Sequence, residues 1–137
     1  MLTVSQGIPL YVDINKELGI KNRYYKIDKI FSTNPESVIQ EAIGDDIYWG
    51  VELHHQGLRI PYYEKYRDRW PHLEVTGVSN RGKIAENLEF YNRPVIGVQY
   101  HPEYTFGKVR RGIFGWLLNR ACHKKQNDKM KLAMGVN

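Results

Sequence analysis

A strand that is apolar on both of its faces sets the narrowest limits on the fold of this chain. It is the run VIGVQ at Val95–Gln99, in which apolar residues do not alternate with polar ones. Strands of this kind are covered on both sides, whereas a strand with one face in water alternates. Residues 108–123 follow with apolar side chains at helical spacing. We therefore expect an α/β domain in which helices cover a central sheet.

Further strand and helix patterns divide the rest of the chain. Strands are predicted at Arg23–Phe31, Ile47–Leu53, Leu73–Ser79, Ile84–Tyr91 and Val95–Tyr100, and helices at Glu36–Ile43, Pro61–Trp70 and Lys108–His123. The first helix has a start signal at Ser32–Glu36, because side chains that cap helices precede a proline at the first turn. This order of elements predicts a mixed α/β domain with a partly parallel sheet.

The composition indicates one reduced globular domain. The chain has 137 residues, of which 42% are hydrophobic and 26% charged, as is ordinary for a folded domain. A single cysteine, Cys122, excludes an internal disulfide and a cysteine-rich zinc site. The sequence contains neither a run of about 20 apolar residues nor a signal-peptide pattern, so we expect a cytoplasmic protein without a membrane partner.

The net charge of +5 is concentrated towards the C-terminus. Residues 108–137 hold eight of the 20 basic residues but only one of the 15 acidic residues, so the remainder is slightly acidic. We divide the chain into a domain at 1–125 and a basic, flexible tail at 126–137. Domains that bind nucleic acids more often interleave basic and aromatic residues on one face, and we expect no nucleic-acid partner.

His101 and Glu103 form the strongest candidate for a catalytic pair. They follow directly on a buried strand, and in open α/β sheets the groups past the carboxyl ends of strands line the ligand crevice. Pro102 biases His101 to an extended conformation. A carboxylate two residues on can accept the imidazole N–H, set its tautomer and stabilise the imidazolium. A surface histidine beside a solvated acid has the same spacing, so the spacing alone leaves both interpretations open.

The sequence VIGVQYHPE at Val95–Glu103 resembles the C-terminal signature of class I glutamine amidotransferases, in which such a strand delivers a catalytic histidine and glutamate. A second segment, VELHHQ at Val51–Gln56, is similar to a strand and turn of the γ-glutamyl hydrolase branch, which includes enzymes that cleave γ-glutamyl-γ-aminobutyrate. Gly7–Asp13 is similar in position to the segment after the family's nucleophile helix. The resemblance implies a partial flavodoxin-like three-layer domain, the C-terminal part of the amidotransferase fold, with a mixed sheet and a C-terminal helix.

The resemblance also implies a Cys-His-Glu triad that hydrolyses glutamine or another γ-glutamyl amide, with His101 and Glu103 as the histidine and glutamate. The family's nucleophile lies in a G-x-C-x-G elbow, which this sequence lacks. Cys122 lies about 20 Å along the last predicted helix, beyond hydrogen-bond reach of His101. We therefore expect no activity from this chain alone. Three explanations stay open: a longer gene product, a second chain or second copy that completes the sheet, and a non-catalytic pseudoenzyme.

The turn His54-His55-Gln56 is a candidate for substrate binding. The resemblance places it near the active-site crevice, which implies that His55 and Gln56 contact a small γ-glutamyl substrate; a turn satisfied by its own hydrogen bonds fits equally well. Adjacent residues at a strand end point to opposite faces, so His54 and His55 cannot easily bind one metal ion. With no Asp or Glu at ligand spacing, we expect no metal site and no cofactor.

Overall fold

The computed structural model describes residues 2–20 and 26–134, with side chains up to residue 126. Its helices are α1 (Leu2–Ser5), α2 (Ile14–Leu18), α3 (Val38–Ile43), α4 (Ile60–Lys65) and α5 (Lys108–Met134). Its strands are β1 (Leu10–Tyr11), β2 (Lys26–Ser32), β3 (Ile47–Glu52), β4 (Gly57–Leu58), β5 (Leu73–Ser79), β6 (Ile84–Phe90) and β7 (Val95–Val98). Short 3-10 helices lie at Arg67–Arg69 and Pro102–Tyr104.

Five of the strands form one sheet in the order β3-β2-β5-β6-β7, and β1 pairs with β4. Every strand pair among the described residues is antiparallel, so the predicted partly parallel sheet is wrong for this part of the chain. The reason lies in the connections. Parallel neighbours need a crossover of about a dozen residues, whereas β5, β6 and β7 are joined by short turns. The longer connection through α3 also brings β3 back antiparallel to β2.

The sheet curls until its two ends meet. Strand β2 pairs with β3 from Lys26 to Phe31 but with β5 only at Phe31 and Ser32, so the β2–β3 arm diverges from the rest of the sheet. The chain that leaves β7 then contacts β3, where the backbone N–H of His101 donates to the carbonyl of Val51 at 2.8 Å. Gly50 allows this approach, because a Cβ there would lie 2.9 Å from the Cβ of Tyr100.

Both faces of the sheet are covered. Along β6, Leu88 and Phe90 join a core cluster with residues of α4, whereas the alternate residue Asn87 contacts Tyr48 in a second cluster with α3 and α5. Since successive side chains of a strand point to opposite faces, the two clusters lie on opposite sides of the sheet. This layering confirms the predicted α/β class with a C-terminal helix.

Several predicted boundaries need correction. Helix α3 begins at Val38 and not at Glu36, because the Ser37 hydroxyl caps it by accepting from the Gln40 N–H at 3.1 Å. Helix α5 continues through Met134, past its predicted end at His123 and into the segment assigned to the tail. The start of the predicted strand Arg23–Phe31 lies outside the described residues. None of the described helices is long and apolar enough to cross a membrane.

Candidate active site

Two backbone hydrogen bonds fix the segment that leads from β7 to His101. The N–H of Gln99 donates to the carbonyl of Glu86 in β6, and the N–H of His101 donates to the carbonyl of Val51 in β3, both at 2.8 Å. His101 has φ −101° and ψ 90°, which is the extended conformation predicted from Pro102. The site therefore sits where the two ends of the curled sheet meet.

His101 and Glu103 lie in direct contact. Nδ1 of His101 is 2.7 Å from Oε1 of Glu103, and 37% of the His101 side chain and 49% of the Glu103 side chain are exposed. An ionised carboxylate can only accept, so Nδ1 carries the hydrogen and Nε2 is left to exchange a proton. The hydrogen bond from His101 is the main reason that the pKa of Glu103 lies below its ordinary value. The geometry is that of a base with its orienting carboxylate.

A buried aromatic pair lies immediately behind this contact. The rings of Tyr48 and Tyr100 meet edge to face with centroids 6.0 Å apart, and the Asn87 amide donates to the Tyr48 hydroxyl. Burial raises the pKa of Tyr48 to about 12 and also raises that of Tyr100, so both remain neutral. Because Tyr100 precedes His101, this packing restrains the backbone that carries the imidazole.

A cavity of about 360 Å³ opens beside the same segment. Polar groups lining it come from His55 and Gln56 in the loop after β3, from Glu86 in β6 and from Gln99. His101 and Glu103 do not line it; Gln99, two residues before His101, does. The structure thus brings the predicted substrate-binding residues together in one cavity, whereas the predicted catalytic pair lies outside it and Glu103 faces a separate pocket beside α5.

Sequence reasoning missed a second cluster of polar side chains beside this cavity, of which His54 and Glu86 line it. Glu52, His54 and Glu86 each offer one ligand atom, and these atoms all lie within 4.8 Å of one another. The expectation that no acid stands at ligand spacing from His54 is therefore wrong. Strand alternation could have indicated Glu52, two residues before His54, but the approach of Glu86 depends on the curl of the sheet.

The single cysteine does not belong to this site. Cys122 is exposed on α5, and at about 1.5 Å per residue it lies about 20 Å along that helix from Lys108.

Solved structures with the same fold are glutamine amidotransferase domains. The glutaminase domain of Trypanosoma brucei CTPS with bound acivicin matches with a TM-score of 0.59 at 15% identity over 70% of this chain and 39% of that one. A Thermoplasma acidophilum protein described as a GMP synthase subunit matches with a TM-score of 0.67 at 13% identity over 93% of this chain and 55% of that one. A Thermotoga maritima glutamine amidotransferase matches with a TM-score of 0.52 at 15% identity, over 96% and 45% of the two chains.

The chain spans between 39% and 55% of the length of these three structures. No curated protein matches its sequence. The family model of Peptidase C26 matches residues 1–103, from α1 through Glu103. This match covers most of the chain, and the chain therefore belongs to the Peptidase C26 family, with the fold of class I glutamine amidotransferase domains.

Proposed function

We propose that this chain supplies the histidine and glutamate of a site that hydrolyses γ-glutamyl amides, in the manner of the γ-glutamyl hydrolase branch. The observation that carries the proposal is the 2.7 Å contact between Nδ1 of His101 and Oε1 of Glu103 directly after β7. A carboxylate at Nδ1 leaves Nε2 as the proton acceptor. His101 is then the general base and general acid, and Glu103 orients it.

The reaction requires a thiol that lies outside the residues of this chain. His101 Nε2 takes the thiol proton as the sulfur attacks the γ-carbonyl of the substrate, and the Glu103 carboxylate stabilises the resulting imidazolium. The same proton passes to the departing amine or ammonia, leaving a thioester. Water then attacks the thioester, with His101 again as the base, to release the glutamyl acid and regenerate the thiol.

His55 and Gln56 are proposed to contact the substrate. They line a cavity of about 360 Å³, which is within the size range of sites for small molecules. A γ-glutamyl group carries a carboxylate and an ammonium, and the side chains of His55 and Gln56 offer both donors and acceptors for them.

A second candidate is a non-catalytic assembly or binding module on the same fold. It is favoured by the unpaired edge of β7, which is half-buried and pairs only with β6 among the described strands. Unpaired strand edges are places where another strand can add, so a second polypeptide or a second copy of this chain could complete the sheet. Such a module would bind γ-glutamyl compounds without turning them over.

The two functions predict different results when the protein is isolated from its source: the hydrolase turns over a γ-glutamyl amide, and the binding module does not. A tagged copy of the chain is recovered from source cells with whatever accompanies it, its intact mass is measured, and release of amine from γ-glutamyl-p-nitroanilide is followed. Hydrolysis that falls at least a hundredfold in His101→Gln, but is unchanged in the exposed-helix control His123→Gln, supports the triad.

Equal rates in the two variants would remove the catalytic role of His101. Absence of turnover together with saturable binding of γ-glutamyl compounds would replace the hydrolase with the binding module. A recovered mass near 16.1 kDa with no accompanying polypeptide, combined with hydrolysis, would contradict the requirement for an outside thiol.

A further inference from the structure

A buried imidazole nitrogen points towards two buried carboxylates near the segment that carries Gln99. Nε2 of His54 lies 3.6 Å from Oε2 of Glu86, and one oxygen of Glu52 completes the cluster within 4.8 Å. Both glutamates are buried, and only 9% of the His54 side chain is exposed. Nε2 of His54 is itself buried and makes no hydrogen bond with the described residues. A polar atom in that position calls for a ligand.

The surrounding hydrogen bonds set which atoms face the centre of the cluster. Nδ1 of His54 lies 3.0 Å from the carbonyl oxygen of Gln56. A carbonyl can only accept, so Nδ1 carries the hydrogen and Nε2 presents its lone pair in the neutral ring. The Ser79 hydroxyl donates to Oε1 of Glu86 at 2.6 Å, which directs Oε2 towards His54.

This arrangement favours a cation between the side chains. A nitrogen lone pair that faces a carboxylate oxygen at 3.6 Å repels it unless a proton or a metal ion lies between them. In metal sites the ligating histidine usually donates its other N–H to a carbonyl, and the ligating carboxylates are themselves hydrogen-bonded. Gln56 and Ser79 provide both of these outer contacts.

We propose that Glu52, His54 and Glu86 bind one divalent transition-metal ion of the Zn²⁺ or Mn²⁺ type. Such ions hold nitrogen and oxygen ligands at about 2.1 Å, so two ligands on one ion lie about 3 to 4 Å apart. The 3.6 Å between Nε2 of His54 and Oε2 of Glu86 is in that range. The three ligand atoms lie within 4.8 Å of one another, so the most distant pair would have to approach by less than about 1 Å to share an ion. One imidazole and two carboxylates suit these ions better than Ca²⁺ or Mg²⁺.

The cavity gives the ion a path from solvent and leaves room for water at its open positions. His54 and Glu86 both line it. The ion would also join the end of β3, which carries Glu52, to β6, which carries Glu86. The backbone of these two strands holds Gln99 and His101 through the carbonyls of Glu86 and Val51. We infer that the ion clamps together the two strands on which the His101 segment rests.

Metal binding is tested directly on the folded chain, without any assay of activity. Zn²⁺ is titrated by calorimetry, and Co²⁺ is added as a spectroscopic probe of the same site. We expect one ion per chain and a visible Co²⁺ spectrum. The substitutions His54→Gln and Glu86→Gln should each weaken Zn²⁺ binding at least tenfold, in line with the loss of one ligand. His55→Gln is the matched control, since it removes the adjacent exposed imidazole and should leave the affinity within twofold.

Two results would overturn the proposal. One is a wild-type chain that is folded by circular dichroism but binds no Zn²⁺ when the ion is in molar excess. In that case a protonated His54 paired with Glu86 explains the cluster. The other is an equal loss in the His54 and His55 variants, which would indicate an exposed site. If the cluster variants do not fold, the wild-type Co²⁺ complex decides, because the His54 ring protons must then show paramagnetic shifts, and unshifted protons would exclude coordination.

Discussion

Two glycines on one helix test the packing of α5 against α3. A Cβ at Gly112 would collide with the backbone carbonyl of Ala42 and come within 3.2 Å of the Cα of Ile43, whereas a Cβ at Gly115 would meet nothing within 4 Å. Neither glycine has a positive φ, so alanine fits the helical backbone at both positions. The substitutions Gly112→Ala and Gly115→Ala therefore differ only in the space that the new methyl group finds.

The magnitudes follow from two opposing effects. Alanine in place of glycine in a helix interior stabilises by about 0.5–1 kcal/mol. Overpacking a close contact costs about 1–3 kcal/mol, and the upper part of that range applies where the obstacle is backbone, which cannot rotate away. We expect Gly115→Ala to raise the free energy of unfolding by about 0.5–1 kcal/mol and Gly112→Ala to lower it by about 1–2 kcal/mol.

Urea unfolding followed by circular dichroism measures both variants against the wild type. The dependence of the free energy on urea should be unchanged, so that the midpoints report stability alone. A gap of about 2–3 kcal/mol between the variants confirms that α3 and α5 touch through backbone at Gly112. Equal stabilisation by the two substitutions would refute this packing.

Two further predictions concern buried and exposed carboxylates. Glu89 accepts from the backbone N–H groups of Val38 and Ile39 at 2.8 and 2.9 Å. Glu89→Ala should therefore lower the free energy of unfolding, measured with urea, by about 3 kcal/mol. A change below about 1 kcal/mol would contradict the capping role. The hydrogen bond from His101 lowers the pKa of Glu103, so this contact stabilises the fold at pH values above the ordinary pKa of 4.5. The contribution is lost as the pH falls through the lower pKa of the folded state. A carboxyl NMR titration should show the Glu103 midpoint rising towards 4.5 in His101→Gln, and an unchanged midpoint would disprove the contact.

Elements bounded by local signals could be predicted from the sequence. Strand β5 begins and ends at the predicted residues, Leu73 and Ser79, because a turn at residues 80–82 closes it on one side and Pro71 precedes it on the other. The His101–Glu103 contact was also predictable. Its two side chains are two residues apart, and Pro102 fixes the backbone between them.

Features that depend on distant residues could not be predicted in the same way. Four residues before α3 have side chains able to cap a helix (Ser32, Thr33, Asn34 and Ser37), and Glu89 on β6 stabilises the start at Val38 by accepting from its N–H. The cluster around His54 likewise depends on the curl that brings β3 next to the end of β7. No local pattern carries that information.

The hydrogen bond that closes the curled sheet also has a consequence for the order of folding. The β5–β6 hairpin joins residues that are close in the chain, whereas the bond from His101 to Val51 joins residues that are distant in it. Contacts between distant residues carry the larger loss of chain entropy and form after local ones. The hairpin is therefore expected to form early and the hydrogen bond between His101 and Val51 late. Amide hydrogen exchange at His101 should then be faster than in β6, so the His101 imidazole belongs to the part of the domain that opens first.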